Sequence, residues 1–227
     1  IQAYQKRGVP MVEWTARLAR KYDRKFFVRL VKGAYWDTEI KLSHVGGFKD
    51  FPVFTRKLAT DVSYLACAEK MLAADDAIYP AFATHNAYTI GAIKALAGGK
   101  PLEFQRLHGM GEDIYGALAQ MEGNDRTNVR IYAPTGTHKD LLAYLVRRLL
   151  ENGANSSFVN SMADAEVPAS DLATDPVADM AQLDPYRNPT IPLPEDIFPG
   201  RKNSAGIDLS DPLVLEPLQE LLAALEN

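Results

Sequence analysis

Phe26-Phe27-Val28-Arg29-Leu30-Val31, running straight into Lys32-Gly33-Ala34, is the stretch on which the fold turns. Two aromatic and three branched aliphatic residues in six positions read as a strand, and the small residues after it read as a loop. Working outward, the same unit recurs. Upstream, residues 1–4 read as a strand end and residues 12–22 as a helix. Downstream, a helix over 55–72 leads to a strand over 79–84, and a helix over 86–96 to a strand over 102–107. A helix over 112–121 leads to a strand over 129–132, and a last helix covers 138–152, stopped by Gly153. This alternation predicts the α/β class with a parallel sheet. About five strands are too few for an eight-stranded (βα)8 TIM-like barrel, but they match its second half. A doubly wound open sheet is the alternative, weakened because no G-x-G-x-x-G follows a strand.

The bulk properties exclude several classes. The chain has 227 residues, 47% apolar and 24% charged, with a net charge of −4. That is an ordinary globular composition, and no Lys/Arg run marks a nucleic-acid surface. The single cysteine, Cys67, excludes an internal disulfide and reads as a buried structural residue. No apolar run approaches the ~20 residues of a membrane span, and no signal peptide is visible. The chain opens on a strand-like segment without an initiator Met, which reads as a piece of a longer polypeptide. Beyond residue 160 the composition shifts, and nine of the 14 prolines lie there. Residues 161–211 therefore read as an extended, Pro-rich linker of polyproline character, and 212–227 as a short helix leading toward a following domain. Residues 1–160 form the α/β part.

In parallel α/β folds the chemistry gathers at the carboxyl ends of the strands. Here Arg29, Lys32, Tyr35 and Trp36 follow the first strong strand, and Thr84-His85-Asn86 follows the next. Gln105, Leu107 and His108 end the third, and Tyr132 ends the last. Arg29 interrupts an apolar strand on the face of Phe27 and Val31, expected to point inward, so it needs an acceptor: a structural carboxylate or a ligand. Arg56 and Lys57 begin a helix, where cations oppose the dipole unless an anion joins them. In the last helix Tyr144, Arg147, Arg148 and Glu151 fall at i, i+3, i+4 and i+7 on one polar face. Paired guanidiniums suit a carboxylate or a phosphate. No metal-ligand spacing occurs, so no metal is expected.

Read together, Arg29-Leu-Val-Lys-Gly-Ala-Tyr-Trp36, Tyr144-x-x-Arg-Arg148, Phe104-Gln-Arg-Leu-His-Gly-Met-Gly111 and Glu151-Asn-Gly-Ala-Asn155 resemble proline dehydrogenase, the flavin-dependent domain of bifunctional proline utilization A proteins. Asn203-Ser-Ala-Gly-Ile-Asp-Leu-Ser210 resembles the run leading toward that family's aldehyde dehydrogenase domain. The resemblance implies a (βα)8 barrel, with this chain supplying strands 4–8. It also implies FAD at the strand ends and oxidation of L-proline to Δ1-pyrroline-5-carboxylate, the first step of proline catabolism, with electrons passed to a quinone at a membrane surface. By resemblance, Arg147 and Arg148 hold the proline carboxylate, while Leu107, Tyr132, Tyr144 and Tyr35 surround its ring. Arg29 stands near the flavin N5. Gln2, Lys32, Gly33, Ala34, Trp36, Arg56, Lys57, Thr84, His85, Glu151 and Phe158 line the cofactor. The implied location is cytoplasmic and peripheral at the inner membrane.

The family's Lys and Asp from early barrel strands have no counterpart here. The resemblance thus also implies a partner in the missing N-terminal half of the barrel; a homo-oligomer is left open. Two rival readings remain beside it. One is a Schiff-base aldolase with Lys32 as the amine. The other is a non-catalytic scaffold whose strand-end charges are salt bridges.

Overall fold

The computed structural model describes residues 1–123, 127–154 and 174–225; of 149–154 it describes the helical backbone alone. In chain order the elements are α1 (Gly8–Lys21), β1 (Phe26–Leu30), α2 (Trp36–Gly46), α3 (Lys57–Ala73), β2 (Ile78–Ala83) and α4 (Ala87–Ala97). They continue with β3 (Glu103–Leu107), α5 (Glu112–Glu122), β4 (Asn128–Tyr132), α6 (His138–Ala154), α7 (Pro176–Ala181), a 3-10 turn (Pro194–Asp196) and α8 (Pro212–Leu225). Two compact units result: Ile1–Ala34 with Lys57–Asp184, and Tyr35–Arg56 with Pro185–Asn227.

The first unit is built on a four-stranded parallel sheet in the order β1-β2-β3-β4. Each crossover moves one strand in the same direction. With right-handed crossovers this puts the connecting helices on one face. A doubly wound sheet would reverse its order at a switch point. These strands show no such reversal. Val28, Leu30, Ile78, Pro80, Phe82 and Phe104 point to the helical face. They pack on Val12 and Ala16 of α1, Tyr64, Cys67 and Met71 of α3, and Ile90 and Ile93 of α4. Cys67 is buried, as its reading required.

The other sheet face carries Phe27, Arg29, Tyr79, Glu103, Gln105, Arg130 and Tyr132. Phe27 and Arg29 share a face, as the alternation required, but among the described residues that face is open and not packed. The apolar packing of β1 is done by Val28 and Leu30, whereas Phe27 is half exposed and stacks on Tyr79 at 5.5 Å between ring centres.

Several boundaries differ from the sequence reading for physical reasons. Residues 1–4 do not make a fifth strand: only Gln2 bridges Val31, with the amides of Ala3 and Tyr4 donating to the carbonyls of Val31 and Lys32. Helix α1 starts at Gly8, ahead of Pro10, because a first-turn proline costs no intrahelical hydrogen bond. Helix α6 runs through Gly153 to Ala154, since glycine lowers helix stability without blocking it. Helices α2 and α7 were not anticipated; α7 is capped by the Asp175 side chain, which accepts from Val177 N at 2.9 Å.

In the second unit α2 ends in a left-handed Gly47 (φ 62°). Trp36 Nε1 donates to Phe54 O at 2.7 Å, and Phe51 and Val53 are buried. Residues 186–194 bend instead of forming one polyproline run: Asn188 N donates to Thr55 Oγ1, and Asn188 Oδ1 accepts from Thr190 N. Gly206 N then donates to Gly47 O at 2.8 Å. The approach is so close that a Cβ on Gly206 would stand 1.7 Å from Gly46 O.

Candidate active site

Strand ends of a parallel sheet leave backbone groups and outward side chains unclaimed by the ladder, and here they gather polar groups. Arg29, next to last in β1, donates from Nε to Gln105 Oε1 at 2.7 Å, and its guanidinium lies over the Tyr132 ring at 5.0 Å. Among the described residues its Nη groups meet no acceptor. The acceptor that its place in an apolar strand demanded is therefore a neutral amide. Behind it, Gln105 Nε2 donates to Glu103 Oε1 at 2.8 Å. Arg130 grips the same carboxylate with two hydrogen bonds of 2.7 Å. That grip holds the Glu103 carboxyl below the usual carboxylate range despite its burial.

At the end of β2, His85 reaches sideways to β3. Its Nε2 accepts from Leu107 N–H at 3.1 Å. Burial lowers the imidazole pKa, and the charges of Arg148 and Arg106 lower it further. His85 is thus neutral, and because Nε2 is an acceptor its proton sits on Nδ1, which meets no acceptor among the described residues. Two buried phenols brace the same rim. Tyr115 OH donates to Thr84 O at 2.8 Å, and Tyr64 OH stands 3.2 Å from Ala83 O and 3.4 Å from Leu30 O. Burial pushes both phenol pKa values up, so both remain donors.

At the end of β1, Lys32 is ion-paired with Asp61, which also accepts from Lys57 at 3.0 Å. The anion required beside the start of α3 is thus supplied in part by the chain itself. Lys32 and Lys57 share the Asp61 carboxylate. A Schiff-base nucleophile needs a neutral amine, which a carboxylate-paired, part-buried ammonium does not offer. The ion pair gives Lys32 a structural partner, the role the non-catalytic reading assigned to it. Gly33 (φ 137°) closes this corner, because a Cβ there would lie 2.5 Å from the Tyr4 ring.

The structure therefore brings together Arg29, Thr84, His85, Leu107, Tyr132 and Arg148, the last with its guanidinium 5.5 Å from the Tyr144 ring. Arg147 shares α6 with Arg148 and Tyr144, and Gln2, Lys32, Gly33, Ala34 and Lys57 belong to the same unit. Tyr35, Trp36 and Arg56 belong to the second unit; Arg56 Nε is buried there with no hydrogen-bond partner among the described residues. Glu151 is described by backbone alone, and Phe158 lies outside the described residues. The sequence reading passed over Glu103, Asp61 and Tyr115. Glu103 had a signal, since Glu103 and Gln105 are two apart in an apolar strand and must share a face. Asp61 had one too, four residues after Lys57 in a helix. Guanidinium, ammonium and imidazole N–H donors form a set suited to a ligand rich in anionic and acceptor oxygens.

Comparison with known proteins gives a consistent result. The family model for proline dehydrogenase matches residues 1–161. The chain is 50% identical to the bifunctional protein PutA of Escherichia coli K12, over 98% of this chain and 18% of that protein. Against PutA of Rhizobium meliloti the identity is 49%, with the same coverage. Among solved structures, a D779W mutant of proline utilization A from Bradyrhizobium japonicum superposes with a TM-score of 0.88 at 51% identity, covering 99% of this chain and 23% of that one. Proline utilization A from Bdellovibrio bacteriovorus, inactivated by N-propargylglycine, matches at 34% identity and a TM-score of 0.80. The chain spans about a fifth of the length of the curated relatives it matches.

Proposed function

The chain belongs to the proline dehydrogenase family, and from that premise we propose that it forms strands 4–8 of a (βα)8 barrel whose FAD-dependent reaction oxidises L-proline to Δ1-pyrroline-5-carboxylate. This would be the first step of proline catabolism, within a bifunctional enzyme that also carries aldehyde dehydrogenase activity. The observation that supports it most is the convergence of Arg29, His85, Leu107, Tyr132 and Arg148, far apart in sequence, at one end of one sheet.

Each residue has a role its chemistry allows. Arg147 and Arg148 clamp the proline carboxylate from one helical face. Leu107, Tyr132 and Tyr144 pack the apolar ring and exclude water from it. The His85 Nδ1–H would donate to an acceptor of the cofactor, and Lys32 and Lys57 would face its anionic part. Gln2, Gly33, Ala34 and Thr84 line the same rim. Arg29, with its Nη donors unclaimed among the described residues, would stand near the flavin N5, where a cation would favour the reduced ring. Tyr35, Trp36, Arg56, Glu151 and Phe158 are assigned from the sequence motifs alone, with the buried, unpartnered Nε of Arg56 fitting a ligand acceptor. When bound, FAD would supply the hydride acceptor and the redox link to a quinone. The enzyme would work in the cytoplasm, in peripheral contact with the inner membrane.

The test is the absorption spectrum of the full-length protein before and after anaerobic addition of L-proline. Flavin bands that bleach support cofactor and substrate together. Flavin bands that persist discard proline as the substrate, and a colourless full-length protein discards the cofactor.

A further inference from the structure

We propose that Gln105, held from behind by the Glu103–Arg130 ion pair, is a positioning residue that fixes the orientation of Arg29. The inference rests on the reading of Arg29 as a cofactor-facing cation. Its basis is the direction of the hydrogen bonds. A guanidinium can only donate, so Arg29 Nε must meet the oxygen end of the Gln105 amide. An ionised carboxylate can only accept, so Glu103 must take the nitrogen end. The amide between them therefore has one orientation, and each neighbour enforces it for the other. Arg130 completes the chain by gripping both oxygens of Glu103 and keeping that carboxylate charged.

The placement follows from the sheet. Glu103 and Gln105 are two apart on β3 and share its open face, and Gln105 stands in register with Arg130 on β4. Both β3 side chains are buried although Arg29 is exposed. A long, exposed side chain is thus anchored to a rigid, buried pair. With Nε taken by Gln105 and one side of the plane covered by the Tyr132 ring, the guanidinium keeps its Nη donors aimed in one direction. Without Gln105 only the ring contact would remain among the described residues, and a ring face does not select a rotation about its own normal.

The test uses the full-length flavoprotein with Gln105→Leu, Arg29→Met and the double variant. Three quantities are read: the flavin midpoint potential, kcat and proline KM per bound flavin, and FAD content with melting temperature. For Gln105→Leu we expect a more negative potential and a kcat lowered by roughly 10-fold, the scale of one charge-assisted hydrogen bond, with KM changed less than about 2-fold. Arg29→Met moves both in the same direction and further, and the double variant equals Arg29→Met. Glu103→Gln keeps the volume but lets the amide turn, and should give a smaller effect of the same sign, so the proposal stays testable if Gln105→Leu folds poorly. Loss of FAD content or melting temperature alone, with potential and kcat per flavin unchanged, overturns it in favour of a purely structural Gln105. A Gln105→Leu effect that persists undiminished beside Arg29→Met overturns it as well. If Arg29→Met itself moves nothing, the reading of Arg29 fails and this inference falls with it, a result distinct from the first two.

Discussion

The two arginines of α6 and the histidine of the β2 end carry the most direct single-residue predictions. If Arg147 and Arg148 clamp a carboxylate, Arg147→Met or Arg148→Met should each raise the proline KM by roughly 10- to 100-fold, the loss of one charged hydrogen-bonding partner at ~1.5–3 kcal/mol. Steady-state kinetics on the full-length enzyme checks this, and an unchanged KM in both sinks the clamp. His85 makes a pH prediction. Its native pKa lies below that of the unfolded chain, so below about pH 6.5 the unfolded state binds a proton that the folded state refuses. The contribution is present above that pH and fades as pH falls through the native value. Melting temperatures should thus fall less between pH 7 and pH 5 in His85→Gln than in the unsubstituted protein. Residues of this kind were legible from their place after a strand. The partners that aim them were not: Asp61 lies 29 positions from Lys32, and Gln105 lies 76 from Arg29. Such pairings arise only once the sheet sets its register.

At the level of elements, strands and long helices were readable where their own composition decided them, as in β1 and β2. The failures are those in which tertiary contacts decided. Helix α2 buries only Ile40 and Ser43, too few for a periodic signal. Residues 1–4 look like a strand, but the turn from Gln5 N to Gln2 O sends the chain into α1 after one bridge. Helix α4 begins with a cap that is a local device, the Asn86 Oδ1 accepting from Thr89 N at 2.9 Å. Asn86→Ala should cost about 1 kcal/mol by denaturant unfolding. Gly33→Ala should cost more, about 1–3 kcal/mol, because both φ and the Tyr4 ring oppose a side chain there. Equal stability of Gly33→Ala and the unsubstituted chain would show that this corner can relax.

For the molecule as a whole, the sequence-ordered parallel sheet supports the arc of a barrel, and the two-unit division of the chain was not visible in its composition. The second unit joins residues 35–56 to residues beyond 185, a pairing that no local pattern announces. In β4 Asn128, Val129, Arg130 and Ile131 are all exposed, unlike β2, whose buried residues sit between strands. Among the described residues no strand pairs with the far edge of β4, whose main-chain groups are open to another segment. This chain alone should therefore show no proline oxidation, and the polypeptide with the preceding barrel segment should; turnover by this chain alone would refute the half-barrel reading.

Gly206 illustrates how intolerance to substitution can mislead. In a saturation screen every replacement at this position should score as damaging, because any side chain collides with the carbonyl of Gly46. Read without coordinates, such a profile looks like that of a residue that handles substrate. The atoms nearest a side chain at Gly206 are backbone atoms of Gly46 and Gly47, and what it protects is the crossing of two chain segments in the second unit. A screen scored by growth on proline would place it beside Arg148, and one scored by protein abundance would separate the two: Gly206 variants should be scarce, Arg148 variants plentiful and inactive.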